Sequence, residues 1–194
     1  MVSDGAGQSE FMWFCRGHHN VRRLFSAIWD TPDLITSFDG FCVHRPWEHD
    51  NSWNTSDNSP FYLDQNGRSK PGKVCVQGFL NFFDSGADDG GLVLIPKSHK
   101  IFSELFEQYP TLGSDLSQFV KITDPEIWNG LLKKNGLYPV KVCCKPGDFV
   151  IWDSRTIHLG SPAKNPRPIP RVPSFSPISS PLLPSVLPGY FLLF

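Results

Sequence analysis

The apolar runs of this chain are short, and turn-forming residues close them. Val74, Val76, Phe79, Leu80, Phe82 and Phe83 fall in one stretch, Leu92 to Ile95 in the next, and Asp88-Asp89-Gly90-Gly91 lies between. Phe149 to Trp152 follows Pro146-Gly147-Asp148, and Thr156 to Leu159 comes soon after. Runs of this length, bounded by Gly, Pro and Asp, read as short strands. The 18 prolines and 16 glycines among 194 residues point the same way.

The rest of the chain supplies helices. Gln8 to Arg16 and Asn20 to Trp29 have helical spacing, with Asn20 as N-cap and Val21, Leu24, Phe25 and Ile28 on one face. Asp30-Thr31-Pro32 ends the second. Leu34 to Val43 alternates like a strand, and Trp47 to Pro60 is a polar loop. Ile101 to Tyr109 and Asp124 to Asn135 read as helices, the latter with Asp124 as cap and Pro125 at its first position. Tyr138 to Cys144 returns to strand. Asp84 to Gly90 reads as a hairpin connection, and Pro146-Gly147-Asp148 as a tight turn between two strands. Short strands on both sides of a helical insertion give a β-sandwich or a jelly roll, with the N-terminal helices packed outside. Three regions follow: helices over 1–33, a β-core over 34–172 with the insertion near 101–136, and an irregular tail over 173–194. Nine of the prolines lie after Ser161, and proline cannot donate to a central strand.

Composition sets limits on partners. A net charge of −1 gives no electrostatic basis for binding nucleic acid or an anionic membrane. Five cysteines without a C-x-x-C pair do not form a secreted disulfide framework or a zinc site. The polar start, Met1 to Glu10, lacks the apolar core of a signal peptide, and the apolar stretch from Leu182 is broken by Pro184 and Pro188. The expected setting is the cytoplasm or another reduced intracellular compartment.

Two residues stand out as candidate ligands. His158 follows the apolar strand that ends at Trp152, and Asp64 stands in Tyr62-Leu63-Asp64-Gln65 just ahead of another strand. A carboxylate and a distant imidazole on strands of one barrel can share a face, and together they are two parts of a 2-His-1-carboxylate metal site.

Four segments stand in an order that resembles the phytanoyl-CoA dioxygenase family of iron(II)/2-oxoglutarate oxygenases. They are Pro60 to Asn66, Val76-Gln77-Gly78, Gly90 to His99, and Pro146 to His158. The likeness runs from about Leu34 to Arg171, roughly two-thirds of the chain. It implies a mainly-β double-stranded β-helix, jelly-roll or cupin-like. It further implies Fe(II) held by a His-x-Asp motif and a distal histidine, with 2-oxoglutarate as cosubstrate. Carried over by position, Asp64 is the motif carboxylate, His158 the distal histidine, and Tyr62 occupies the place of the first histidine. A neutral phenol, ionising near pH 10, is a poor ligand beside imidazole. The ordinary alternative for Tyr62 is a half-buried strand tyrosine without a metal contact. His44 and His49 precede the motif and could substitute only by folding inward; His99 is read as a structural residue. The family's arginine grip on 2-oxoglutarate maps to Arg171, with Arg167 as the alternative, while Arg155 braces the strand before His158. Two functions follow. One is an oxygenase that hydroxylates a small organic or lipid-like substrate. The other is a catalytically impaired relative that binds a ligand or partner. The altered tail adds an expectation of self-association through an open sheet edge.

Overall fold

The computed structural model describes residues 5–44, 47–53, 60–115 and 117–164, and the backbone of 173–175, 178–179 and 192–193. Helix α1 (Glu10–Gly17) begins at Ser9, whose Oγ accepts the Met12 N–H. Helix α2 (His19–Trp29) is capped by His18 rather than by the expected Asn20. The His18 backbone is still extended, so its Nδ1 reaches the free Asn20 N–H at 3.4 Å, and Asn20 itself falls inside the helix. Asp30 ends α2 at φ 54°, in the left-handed region that a short polar side chain tolerates.

The strands are β1 (Ile35–Thr36), β2 (Phe61–Leu63), β3 (Val76–Asn81), β4 (Gly91–Leu94), β5 (Val120–Ile122), β6 (Val140–Lys141), β7 (Phe149–Asp153), β8 (His158–Ser161), β9 (Pro173–Phe175), β10 (Ile178–Ser179) and β11 (Leu192–Leu193). One sheet runs β11-β1-β10-β3-β7, with β9 also paired to β3; the other runs β5-β2-β8-β4-β6. Every pairing between these strands is antiparallel. The result is the expected mainly-β jelly roll.

Several local expectations change. The strand expected over Leu34 to Val43 lasts two residues, because the chain then turns to meet the N-terminal segment. The buried Arg16 guanidinium donates to the Asp39 carbonyl, and the Phe38 carbonyl presses against Gly7, where a Cβ would lie only 1.8 Å away. The segment 84–90 is not a hairpin, because β3 and β4 lie in different sheets. It crosses between sheets, as does the turn between β6 and β7. Ser85 and Cys144 exchange both backbone hydrogen bonds, at 2.8 and 3.0 Å, so the two crossings pair with each other. The tail is not irregular throughout. It gives three short strands, and Pro173 is tolerated because it is the first residue of its strand. Two of those strands, β9 and β10, pair with β3 opposite β7, while β11 pairs with β1 and ends the sheet on that side.

Three apolar clusters hold the layers together. Val21 and Phe25 of α2 pack on Leu34, Val76 and Phe149, covering the outer face of the first sheet. Helix α3 (Phe102–Gln108) and the π-helical segment Ile127–Leu132 cover the outer face of the second, against Leu63, Ile95 and Ile157. Between the sheets lie Phe79, Leu92, Cys144 and Trp152, joined by Leu94, Val142 and Val150. Among the described residues no helix is long and apolar enough to cross a membrane.

Candidate functional site

Alternation along β2 decides which side chains meet. Leu63 is fully buried against the insertion helices, so Tyr62 and Asp64, on either side of it, turn toward the space between the sheets. Across the ladder, Tyr62 stands directly opposite His158. Their ring centroids are 4.5 Å apart, Phe119 lies 4.5 Å from the other side of Tyr62, and Trp152 meets His158 edge-on at 5.5 Å.

His158 is buried, and its Nδ1 lies 2.8 Å from the Thr156 carbonyl. A carbonyl only accepts, so Nδ1 carries the hydrogen. Nε2 then points at Asp64 Oδ2, 3.3 Å away. When Nε2 is unprotonated two lone pairs face each other, so the arrangement calls for a positive particle between them: a proton or a metal ion. The same Oδ2 accepts the Gln77 Nε2–H at 2.6 Å from the opposite sheet.

Burial alone would raise the Asp64 carboxyl. The hydrogen bond and charge of His158, with the Gln77 amide, outweigh it and hold the carboxyl below its ordinary 3.8. A carboxyl depressed on folding stabilises the native state fully above its unfolded value, and loses that contribution as pH falls through the folded value. Asp64→Asn should therefore lower stability at pH 6, and the gap from wild type should close below about pH 3.8. Urea denaturation across pH checks this; a gap that does not close would break the pairing argument.

Tyr62 behaves oppositely. Burial, then the negative charge of Asp64, then Cys42, push its phenol up to about 12. The sequence has four tyrosines. In a spectrophotometric titration one of them should ionise near pH 12, and Tyr62→Phe should remove that step. A wild-type curve with every tyrosine near pH 10 would refute the burial.

The remaining candidates do not supply a third donor. Arg171 and Arg167 lie outside the described residues. His44 lies over Gly90, where a Cβ would meet its ring at 2.2 Å, and its Nε2 is 3.5 Å from Cys42 Sγ. His49 is exposed beside Glu48. Arg155 forks onto both oxygens of Asp153, at 2.9 and 2.7 Å, and braces the turn before His158. Among the described residues no group of three His, Cys, Asp or Glu side chains can hold a metal ion. The donor set Asp64, His158 and a protonated phenol therefore does not fit the three-ligand iron site that the resemblance implies. Sequence reasoning assigned no role to Gln77, Trp152 or Phe119. Gln77 stands in the Val76-Gln77-Gly78 segment that carries the resemblance, so its position was visible and its bond to Asp64 was not.

A family-wide sequence model described as phytanoyl-CoA dioxygenase (PhyH) matches residues 46–171. "Ava biosynthesis cluster protein O" of Aspergillus versicolor is 33% identical over 162 residues, covering 79% of this chain and 50% of that protein. A Dictyostelium discoideum relative is 24% identical over 184 residues, with the same 50% of its length matched. The chain thus spans about half the length of the curated relatives it matches. Among solved structures, AviO1 from Streptomyces viridochromogenes superposes with a TM-score of 0.58 at 15% identity, over 94% of this chain and 68% of that one. EctD from S. alaskensis with bound Fe gives 0.57 at 14%, over 90% and 54%. EvdO2 from Micromonospora carbonacea, complexed with 2-oxoglutarate, gives 0.52 at 17%, over 93% and 64%. At these identities the structures speak for the shared jelly roll.

Proposed function

The chain belongs to the phytanoyl-CoA dioxygenase family, and from that premise we propose that it is an impaired member, a jelly roll that binds a small organic molecule without turning over iron and 2-oxoglutarate. One observation carries this: directly opposite His158 stands Tyr62, at the position that the resemblance gives to the family's first iron histidine, and burial pushes its phenol up to about 12. Asp64 and His158 are then a coupled polar pair rather than two-thirds of a filled metal site. The wall that Tyr62, Phe119 and Trp152 make beside them offers apolar and aromatic contact, and the amide of Gln77 fixes the carboxylate.

A second reading, an active oxygenase on a small organic or lipid-like substrate, has one specific observation in its favour. His158 holds its Nδ1–H on the Thr156 carbonyl, the arrangement that frees Nε2 for a metal. On that reading Arg171 or Arg167 would bind the far carboxylate of 2-oxoglutarate, with Asp64 and His158 as ligands. Anaerobic loading with Fe(II), metal analysis after desalting, and a succinate assay with 2-oxoglutarate separate the two. The expected result is no retained iron and no succinate. One iron per chain with succinate formation would establish the oxygenase and end the impaired reading. A reducing compartment is part of this reading, on five cysteines that form no C-x-x-C pair.

A further inference from the structure

On the far side of the second sheet, away from Asp64 and His158, a lysine at the end of β6 and a thiol just beyond it turn the same way. Val142 and Cys144 turn inward to the inter-sheet cluster. Lys141 and Cys143, which alternate with them, turn outward together, separated by two residues of chain, about 7 Å when extended. Cys143 is exposed and free; Cys144 is buried. The Lys141 ammonium is drawn in over the Gly91 backbone, where a Cβ would lie 3.3 Å from Nζ, and it donates to Ser161 Oγ at 2.7 Å. That hydroxyl is in turn 3.1 Å from the Gly91 carbonyl.

We propose that Cys143 and Lys141 form an acyl-accepting pair that takes acyl groups from thioesters, first on sulfur and then on the lysine nitrogen. In the first step the Cys143 thiolate attacks the thioester carbonyl. The bond from that carbon to the carrier sulfur breaks, and the carrier leaves as a thiolate that is protonated by water. In the second step the Lys141 lone pair attacks the same carbonyl. The bond to Cys143 Sγ breaks, and the proton lost from nitrogen restores the Cys143 thiol. The product is an amide at Nζ; no oxidant or reductant is consumed.

The second step needs a neutral amine, and the surroundings favour one. Burial lowers Lys141 to about 8, against the raising influence of Cys143, Asp89 and Cys144, and Lys164 lowers it further. Among the described residues those are the titratable groups that act on it: Cys143 and Cys144 from its own segment, Asp89 from the crossing ahead of β4, and Lys164 from beyond β8. Lys145 is the internal comparison. It too lies two residues from Cys143, but its side chain is 78% exposed and ion-paired with Asp84 at 3.1 Å.

The test uses the full chain and acetyl-coenzyme A as the probe, with peptide mass spectrometry following each lysine over time between pH 7 and 9. Lys141 should acetylate roughly tenfold faster than Lys145, and Cys143→Ser should slow Lys141 by about as much, the ordinary scale of a lost intramolecular relay or more. Lys141→Arg should leave a hydroxylamine-sensitive acetyl group on Cys143. Equal rates at Lys141 and Lys145, or a Lys141 rate unchanged by Cys143→Ser, would overturn the proposal. Cys143 is exposed, so its serine variant keeps the fold, which a thermal melt verifies.

Discussion

Tyr62→His is expected to raise Fe(II) affinity by roughly a hundredfold or more, beyond the scale on which changes around a metal's ligands act. The argument is one of register. Position 62 lies directly across the ladder from His158 and on the same side of β2 as Asp64. An imidazole there joins a carboxylate and an imidazole already held 3.3 Å apart, with His158 in the tautomer that frees Nε2. Three such donors on one face leave the opposite side open, the arrangement that iron oxygenases require. Titration of the variant with Fe(II) under anaerobic conditions, read by metal analysis, gives the answer. A variant that folds, as judged by its melt, yet binds iron no better than wild type would mean that Tyr62 does not occupy the ligand position. The impaired reading would then lose its support.

The second large effect is on stability. Ile157→Ala should cost about 3–4 kcal/mol and lower the melting temperature by roughly 10 °C for a chain of this size. Ile157 is completely buried among Leu63, Ile95 and the insertion-helix residues Phe102 and Leu105. Its N–H donates to Ser98 Oγ and its carbonyl accepts the Ile95 N–H, both at 2.8 Å. Deleting its side chain leaves a cavity that these fixed neighbours cannot close. It also loosens the residue that delivers His158 to Asp64. Ile151→Ala is the control: Ile151 is 39% exposed and its replacement should stay within about 1 kcal/mol. Urea denaturation of both variants decides; equal midpoints would show that the outer face of the second sheet is not a rigid core.

The sequence carried the elements better than their connections. Periodicity located the helices and the strands around Val76, Leu92 and Phe149, because burial of one face leaves a mark at every second or third residue. It could not tell which sheet a strand joins. The turn chemistry at Asp88 to Gly91 fits a hairpin equally well, and only the mutual pairing of Ser85 and Cys144 shows the crossing. Strand β5, Val120-Lys121-Ile122, alternates apolar and polar, but three residues are too few for that alternation to stand out. At the site, motif order was enough to single out Asp64 and His158, which the fold brings together. Gln77 was beyond reach, because its bond to Asp64 depends on how two sheets face each other rather than on any local pattern. The tail misled in the other direction: proline content argued for irregularity, yet a proline at the first residue of a strand costs no ladder bond.

The way the site is stitched together also says when it can exist. Tyr62 finds His158 only after nearly the whole β-core has been made, and the neighbouring clasp of Ser154 Oγ on Gln65 joins residues 89 apart in the chain. Contacts of such long range form slowly, because the closure entropy of the loop must be overcome before they reward it. A ribosome-bound chain that has not yet released β8 carries Asp64 with no partner imidazole. Its β2 must wait with its inward face bare, and in that interval chaperone capture competes with the pairing that completes the domain.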